Sequence, residues 1–241
     1  QLLVNYNLIE TIDLRSNAIT NLQLINNKLS GALDLSNQKG LRYFYCSGNE
    51  LTSLDISENI KLTELWCDFN SISQLDISNC TCLKMLLCDY NNLTSLDVSK
   101  NTELEELICK ENSISSLDIS NCVKLKKVLC DHNNLTSLDV SKNIEIETLW
   151  CHNNLLSTLD VSSLPKLKTL TCGNCINTEG NYISQLDVSK NKELEYLSCL
   201  EARLESLDVS NCPKLETLEC SKNPIKTLTI GSNNSLKKIY T

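Results

Sequence analysis

Leucines recur through almost the whole chain at fixed positions of a 21-residue unit. The unit that begins at Leu83 restarts at Leu104, and its two halves are related. The first, which we name the A half, reads Leu-x-x-Leu-x-Cys-x-x-Asn, and the B half reads Leu-x-x-Leu-Asp-Val/Ile-Ser-x-Asn. A constant period in this range is typical of solenoids, in which each unit buries its apolar side only against its neighbours. The pattern therefore predicts stacked coils and disfavours a deeply buried catalytic pocket.

Each half of the unit contains a short alternation of inward and outward positions, which is typical of a β-strand. Twelve A segments run from 2–4 to 239–241, and eleven B segments run from 12–14 to 228–230. We therefore predict one domain, residues 1–241, of about 11 coils. Its A segments form a parallel sheet, and its B segments form short strand-like stretches on the opposite side.

Two coils depart from the regular spacing. The step from Leu29 to Leu33 is one residue longer than its equivalents, and 27 residues instead of 21 separate Cys172 from Cys199. We place the larger insertion at 176–182, where it is expected to form a loop at one edge of a binding face. Neither end of the chain carries an obvious polar cap, which solenoids normally need. We therefore expect a fragment of a longer protein, or end-to-end pairing.

Nine of the 14 cysteines occupy one position of the A half and form what we name the cysteine ladder. Neighbours in such a stack lie about 4.8 Å apart, whereas a disulfide brings its Cβ atoms to about 3.8 Å. We therefore predict small buried thiols without disulfides. The ladder residues are Cys46, Cys67, Cys88, Cys109, Cys130, Cys151, Cys172, Cys199 and Cys220.

An asparagine closes most A halves and forms a second column, the asparagine ladder. The backbone turns at this corner and leaves polar groups without sheet partners, which a buried carboxamide can satisfy. The residues are Asn27, Asn49, Asn70, Asn91, Asn112, Asn133, Asn154 and Asn223. By spacing, Cys175 takes this position in the longer coil. The matching B position varies between Asn, Cys and Leu, as in Asn59, Cys80 and Leu164.

With these motifs, the chain resembles bacterial leucine-rich repeat proteins, in particular the subclass with nested 21-residue repeats, and more distantly the internalins. The resemblance covers nearly the whole chain. It implies a right-handed coil with the parallel sheet on its concave face, surface display and protein recognition. Cysteine in place of asparagine is a variant of this family, which accounts for Cys80, Cys122 and Cys212. Internalin repeats usually carry Leu or Ile at the position of the cysteine ladder, and usually have 22 residues.

Large apolar side chains occupy the outward position between the two inward residues of six successive A strands. Contiguous apolar patches usually mark interaction sites, and Trp and Tyr carry much of the binding energy in interfaces. The alternative is packing between strands, or a covering terminal segment. We name this candidate ligand-binding surface the aromatic face: Tyr43, Tyr45, Trp66, Phe69, Leu87, Tyr90, Ile108, Leu129, His132, Trp150 and His152.

The B halves contribute a column of aspartates. Like charges about 4.8 Å apart repel by roughly 1 kcal/mol per pair even in water, so nearby hydroxyl and N–H groups are expected to donate to them. We expect a hydrogen-bonded polar column in which some pKa values are raised; cation binding is the alternative. The column comprises Asp13, Asp34, Asp55, Asp76, Asp97, Asp118, Asp139, Asp160, Asp187 and Asp208.

Composition narrows the class of function. A net charge of −8 disfavours binding to nucleic-acid phosphates, and no apolar run approaches the roughly 20 residues of a membrane span.

The Cys-x-x-Cys pair at Cys172 and Cys175 is already explained by the repeat. Asp131, His132 and His152 lie on adjacent coils and could bind a metal, but we interpret the histidines as contact residues. We expect no enzyme, cofactor or metal.

The sequence therefore predicts a non-catalytic recognition or adhesion module, exported from or displayed on a bacterial cell. It would bind a protein through the aromatic face. A glycan-binding module is the first alternative, because exposed tryptophan and tyrosine rings stack on sugars. A structural or self-associating spacer is the second, and a homodimer is possible.

Overall fold

The computed structural model describes residues 1–14, 19–174 and 180–241, which form two compact units, Gln1–Cys122 and Val123–Thr241. The described residues form short β-strands and turns without a helix. Cys175 and residues 176–179 of the predicted insertion lie outside the described residues.

The described residues of the first unit form eight strands. They are β1 (Leu2–Leu3), β2 (Asn21–Gln23), β3 (Ser30–Asp34), β4 (Tyr43–Tyr45), β5 (Glu50–Asp55), β6 (Glu64–Trp66), β7 (Met85–Leu87) and β8 (Glu106–Ile108). All except β3 and β5 join one parallel sheet in chain order. Their register follows the repeat, so that Leu65 pairs with Phe44 on one side and Leu86 on the other.

The second unit repeats this arrangement. Its strands are β9 (Lys127–Leu129), β10 (Thr148–Trp150), β11 (Thr169–Thr171), β12 (Tyr196–Ser198), β13 (Ser206–Asp208), β14 (Thr217–Glu219), β15 (Thr227–Thr229) and β16 (Lys238–Tyr240). All except β13 and β15 form a parallel sheet in chain order. The long coil does not break the register, because Leu170 still pairs with Leu197.

The predicted parallel sheet of A segments is confirmed, and the described B segments form regular strands in part of the coils. Described B segments form strands only in the pairs β3–β5 and β13–β15. The leucine spacing does not separate the two kinds of coil, because Leu51 and Leu54 at β5 lie three positions apart just as Leu93 and Leu96 do. The β3–β5 register shifts by one residue between Gly31 and Ala32, because Gly31 pairs with Leu51 and Ala32 with Ser53. The φ of Gly31 is +71°, which favours glycine.

The core consists of stacked Leu, Ile, Val and Cys columns. All nine residues of the cysteine ladder are buried, and no disulfide joins any of the described cysteines. Burial disfavours the thiolate, and it raises the pKa of Cys172 to about 12. The predicted ladder of buried thiols is therefore confirmed, and Cys82 is the exposed thiol among the described cysteines.

Candidate functional site

The asparagine ladder bonds each coil to the one before it. Nδ2 of Asn91 donates to the carbonyl oxygens of Cys67, Cys88 and Asp89 at 3.0, 3.1 and 3.1 Å. Its Oδ1 accepts the backbone N–H of Ile72 at 2.9 Å. The carboxamide thus acts as both donor and acceptor, as the sequence predicts, and satisfies backbone groups that the corner leaves outside the sheet.

In several B halves the asparagine uses only its donors. Nδ2 of Asn101 donates to the carbonyl oxygens of Ile77 and Cys80 at 3.0 and 2.9 Å, whereas its buried Oδ1 has no hydrogen-bond partner among the described atoms. Asn233 in the last B half differs, because its Oδ1 accepts the N–H of Ser235 at 2.8 Å. A thiol is a weak donor, and Cys122 indeed points its sulfur at the Val98 carbonyl at 3.4 Å. Cysteine can therefore replace asparagine in those B halves where no described N–H uses the side chain as an acceptor, as at Asn101.

The longer coil obeys the same requirement through Asn181, whereas Cys175, which the spacing assigns to the ladder, lies outside the described residues. Asn181 takes that position and is completely buried. Its Nδ2 donates to the carbonyls of Cys151 and Cys172, both at 2.8 Å, and its Oδ1 accepts the N–H of Leu156 at 2.9 Å. Asparagine suits this position because its carboxamide oxygen is a strong acceptor, whereas a thiol sulfur accepts only weakly.

The aspartate column is hydrogen-bonded as predicted, but the expectation of raised pKa values is wrong. Oδ1 of Asp97 accepts the N–H of Ser99 at 2.8 Å, and the backbone and hydroxyl of that serine lower the pKa of Asp97. These carboxylates lie in solvent, where local donors outweigh mutual repulsion. The pKa is lowered at Asp34, Asp76, Asp97, Asp139, Asp160, Asp187 and Asp208.

In the first unit, the outward column of the aromatic face is half-buried instead of fully exposed. Tyr45, Trp66 and Leu87 stand side by side in register, and the rings of Tyr45 and Trp66 lie 4.4 Å apart. The Tyr45 hydroxyl donates to Glu64 Oε2 at 2.6 Å. Packing between strands, the alternative interpretation, therefore accounts for part of this column.

The exposed aromatic residues of this unit lie just beyond the sheet. Phe69 and Tyr90 are 52% and 39% exposed, and their rings stack at 4.3 Å with planes 11° apart. Their φ angles are +52° and +50°, in the left-handed region that Gly48 occupies one coil earlier. That conformation costs a non-glycine residue roughly 1–2 kcal/mol. A groove of about 600 Å³ is lined by Phe69 and Trp66 and also by Tyr6, which the sequence did not single out.

In the second unit, Leu129 is 6% exposed, so its assignment to a ligand-binding surface is wrong. Trp150 is half-buried, and its buried Nε1 has no hydrogen-bond partner among the described atoms. The rings of His132 and His152 meet edge to face at 5.1 Å. Both approach Asp131, whose Oδ2 lies 3.0 Å from His132 Nδ1 and 3.6 Å from His152 Nε2.

A groove of about 430 Å³ adjoins this cluster and is lined by Trp150, His152, Thr171, Tyr196 and Glu219, among others. The Tyr196 hydroxyl donates to Glu219 Oε2 at 2.7 Å. Burial and this carboxylate raise the pKa of Tyr196 to about 12. The sequence analysis missed Tyr196, although it occupies the same strand position as Tyr43 and could have been found by comparing that column.

A further missed feature is a column of acidic residues directly after the cysteine ladder. Asp89 and Asp131 are buried, and Asp68 accepts the Ser47 hydroxyl at 2.5 Å. Burial raises the pKa of Asp68. The repeat itself carries the signal, because all three residues follow a ladder cysteine, yet such a position is ordinarily outward and exposed.

Several solved structures have a similar fold. The functional domain of InlJ from Listeria monocytogenes, which includes a cysteine ladder, is 35% identical over 93% of this chain and 49% of that one, with a TM-score of 0.88. The internalin InlF of the same organism is 20% identical, covering 88% of this chain and 71% of that one, with a TM-score of 0.73. A leucine-rich repeat protein of Leptospira interrogans is 22% identical over 87% of this chain and 62% of that one, with a TM-score of 0.72.

The fold and its two ladders thus define the class: a parallel leucine-rich repeat solenoid of about 11 turns. Within that class, the chain is an internalin-like protein with buried cysteine and asparagine ladders. It spans about half the length of the InlJ chain that it matches. No protein-family model matches the sequence, and no curated protein matches it significantly. In the described part of the chain, no helix is long and apolar enough to cross a membrane.

Proposed function

We propose that this chain is a non-catalytic recognition module that binds a protein through the aromatic face of its first unit. The stacked pair Phe69–Tyr90 carries the proposal. Two aromatic rings stand in solvent, on backbone whose conformation disfavours them, beside the half-buried Tyr45 and Trp66. The same positive φ recurs at the equivalent corner of other coils, as at Glu111 and Asn153, so the exposed stacked rings and not the backbone conformation carry the proposal.

The arrangement suits a protein ligand for two physical reasons. The rings are held by stacking before binding, so little side-chain entropy is lost when a partner covers them. The half-buried column next to them adds apolar surface that is already packed, and Lys110, 5.5 Å from the centre of the Tyr90 ring, adds a polar rim. The similarity to internalin-like proteins supports display on a bacterial surface, which we include in the proposal.

The test compares Phe69→Ala/Tyr90→Ala with the control Ile60→Ala, which removes an exposed apolar side chain elsewhere in the same unit. All three proteins are displayed against an array of extracellular proteins, and the affinity of each hit is measured. We expect the double variant to lose at least tenfold in affinity, a typical effect at interface aromatics, while the control binds as wild type. Equal binding by both variants would contradict the proposal.

Oligomeric state is measured first, by size-exclusion chromatography with light scattering, since an apolar surface also serves self-association. A wild-type dimer that becomes a folded monomer in Phe69→Ala/Tyr90→Ala would assign the surface to a second copy of the chain. A wild-type monomer would leave it available for a foreign protein.

Glycan binding is the second candidate, and the groove of the second unit favours it. Trp150 and Tyr196 face this groove with the polar side chains of Thr171, Ser198 and Glu219. Aromatic rings flanked by convergent hydroxyl and carboxylate groups suit a sugar, which offers an apolar ring face and many hydroxyls. A glycan array probed with wild type and Tyr196→Ala tests this candidate, which requires a hit that the variant loses.

A further inference from the structure

We propose that Asp131, His132 and His152 bind one divalent transition-metal ion of the zinc class. The proposal is independent of the recognition function, because it rests only on residues of the second unit. These three side chains are also the one group in the described part of the chain that brings three candidate ligand atoms together, all within 4.8 Å of one another.

The spacing of the ligand atoms fits such an ion. A tetrahedral ion with bonds of about 2.0–2.1 Å holds its ligands about 3.3 Å apart. Asp131 Oδ2 lies 3.0 Å from His132 Nδ1 and 3.6 Å from His152 Nε2. Small side-chain rotations would therefore suffice to reach coordination geometry. Two imidazoles and one carboxylate suit Zn²⁺, Cu²⁺ or Ni²⁺ better than Ca²⁺ or Mg²⁺, which prefer oxygen ligands alone.

In each imidazole the nitrogen that would not bind the ion lies within hydrogen-bond distance of another side chain, as is usual for metal-bound histidines. Nδ1 of His152 lies 2.9 Å from Thr171 Oγ1, which directs Nε2 toward Asp131. Nε2 of His132 lies 2.9 Å from the Asn153 carboxamide, which directs Nδ1 toward the same carboxylate. In one of the two orientations of this amide, its oxygen accepts a hydrogen bond from an Nε2–H of His132. That tautomer leaves Nδ1 unprotonated, as coordination through Nδ1 requires.

Asp131 supplies an independent sign of an additional partner. It is 4% exposed, and its buried Oδ1 has no hydrogen-bond partner among the described atoms. A buried carboxylate oxygen in that state is costly, and such groups in native proteins often mark an ion site. A divalent cation on Oδ2 would offset the charge of the whole carboxylate.

Three protein ligands leave at least one coordination position for water or for an incoming group. Closed structural sites use four protein ligands, so this set is of the open type. His152 also lines the groove beside Trp150. A carboxylate or imidazole of a molecule bound in that groove is therefore the kind of group that the ion would accept as its fourth ligand.

The experiment titrates the full chain with Zn²⁺ by calorimetry, and with Co²⁺ by absorption spectroscopy, in a Cys82→Ser background. This substitution removes the one exposed thiol among the described cysteines. We expect one ion per chain, with Co²⁺ bands of nitrogen and oxygen ligands and without thiolate charge-transfer absorption. His152→Gln and Asp131→Asn should each weaken Zn²⁺ binding at least tenfold, and Thr171→Val by a smaller factor. Asp89→Asn is the matched control, a buried aspartate at the same repeat position with no histidine in its unit.

Binding that survives in His132→Gln/His152→Gln, or that shows thiolate absorption, would overturn the proposal in favour of a cysteine site. Absence of binding to the folded wild-type chain would also overturn it. The chain has only two histidines, so their NMR signals can be followed in the wild-type protein. This test does not depend on whether a variant folds. Zn²⁺ should shift both signals together at one equivalent, and signals that stay unchanged would refute the site.

Discussion

Exchanging the two kinds of ladder asparagine for cysteine tests why the repeat tolerates cysteine in only one half. In Asn91→Cys, the N–H of Ile72 loses its acceptor. The carbonyls of that corner keep other donors, since Cys67 O still accepts from Asn70, and Cys88 O from Asn112, both at 3.1 Å. The principal loss is therefore one buried N–H without a partner, which costs about 1–3 kcal/mol.

Asn101→Cys removes donors but no acceptor that the structure uses. The carbonyl of Ile77 also accepts the N–H of Cys80 at 2.9 Å, and that of Cys80 accepts the N–H of Leu83 at 3.1 Å. The new thiol can donate weakly to the same oxygens, as Cys122 does in the next coil. We expect a loss of about 1 kcal/mol or less, because only neutral hydrogen bonds with remaining alternatives are affected.

The assay is equilibrium unfolding in urea, followed by tryptophan fluorescence and circular dichroism. Asn79→Ala serves as the surface control, because this asparagine is exposed and makes a single bond to Ser57 O. A change of midpoint at constant slope reports stability alone. If Asn91→Cys and Asn101→Cys reduce the free energy of unfolding equally, or if their order is reversed, the acceptor argument is wrong.

Three further predictions follow from the structure. Gly173→Ala should lower the melting temperature markedly, because the new Cβ would lie 2.1 Å from the Leu200 carbonyl oxygen and the backbone must shift; unchanged melting would contradict this close approach. Ser99→Ala should move the pKa of Asp97 part of the way back up toward 3.8 in an NMR titration. Because the folded-state pKa is depressed, the stabilisation by this bond is present above the unfolded pKa and lost as pH falls through the folded value. Ellman's reagent should modify Cys82 rapidly in the native chain and the cysteine ladder only on unfolding, and rapid modification of ladder thiols would refute their burial.

The sequence by itself determined the coil and its register. The same residue type recurs at each inward position in many coils, so the assignment of leucine, cysteine and asparagine to the interior does not depend on any single residue. Strand spacing alone predicts that the ladder cysteines are free thiols, because neighbours one strand apart cannot form disulfides without distortion. A repeating local pattern thus fixes the fold when each unit contacts only its neighbours.

The tertiary structure decided which side chains those columns leave available. The outward column of Tyr45 and Trp66 proved half-buried, because each ring shields the next, while Phe69 and Tyr90 beyond it are exposed. Asn181 fills the ladder position of the longer coil, because its Oδ1 supplies the acceptor for the N–H of Leu156. The chain spacing between His132 and His152 showed that they lie on adjacent coils. Only the packed corner shows that both rings approach one buried aspartate, because side-chain direction and burial depend on neighbouring coils and not on the repeat.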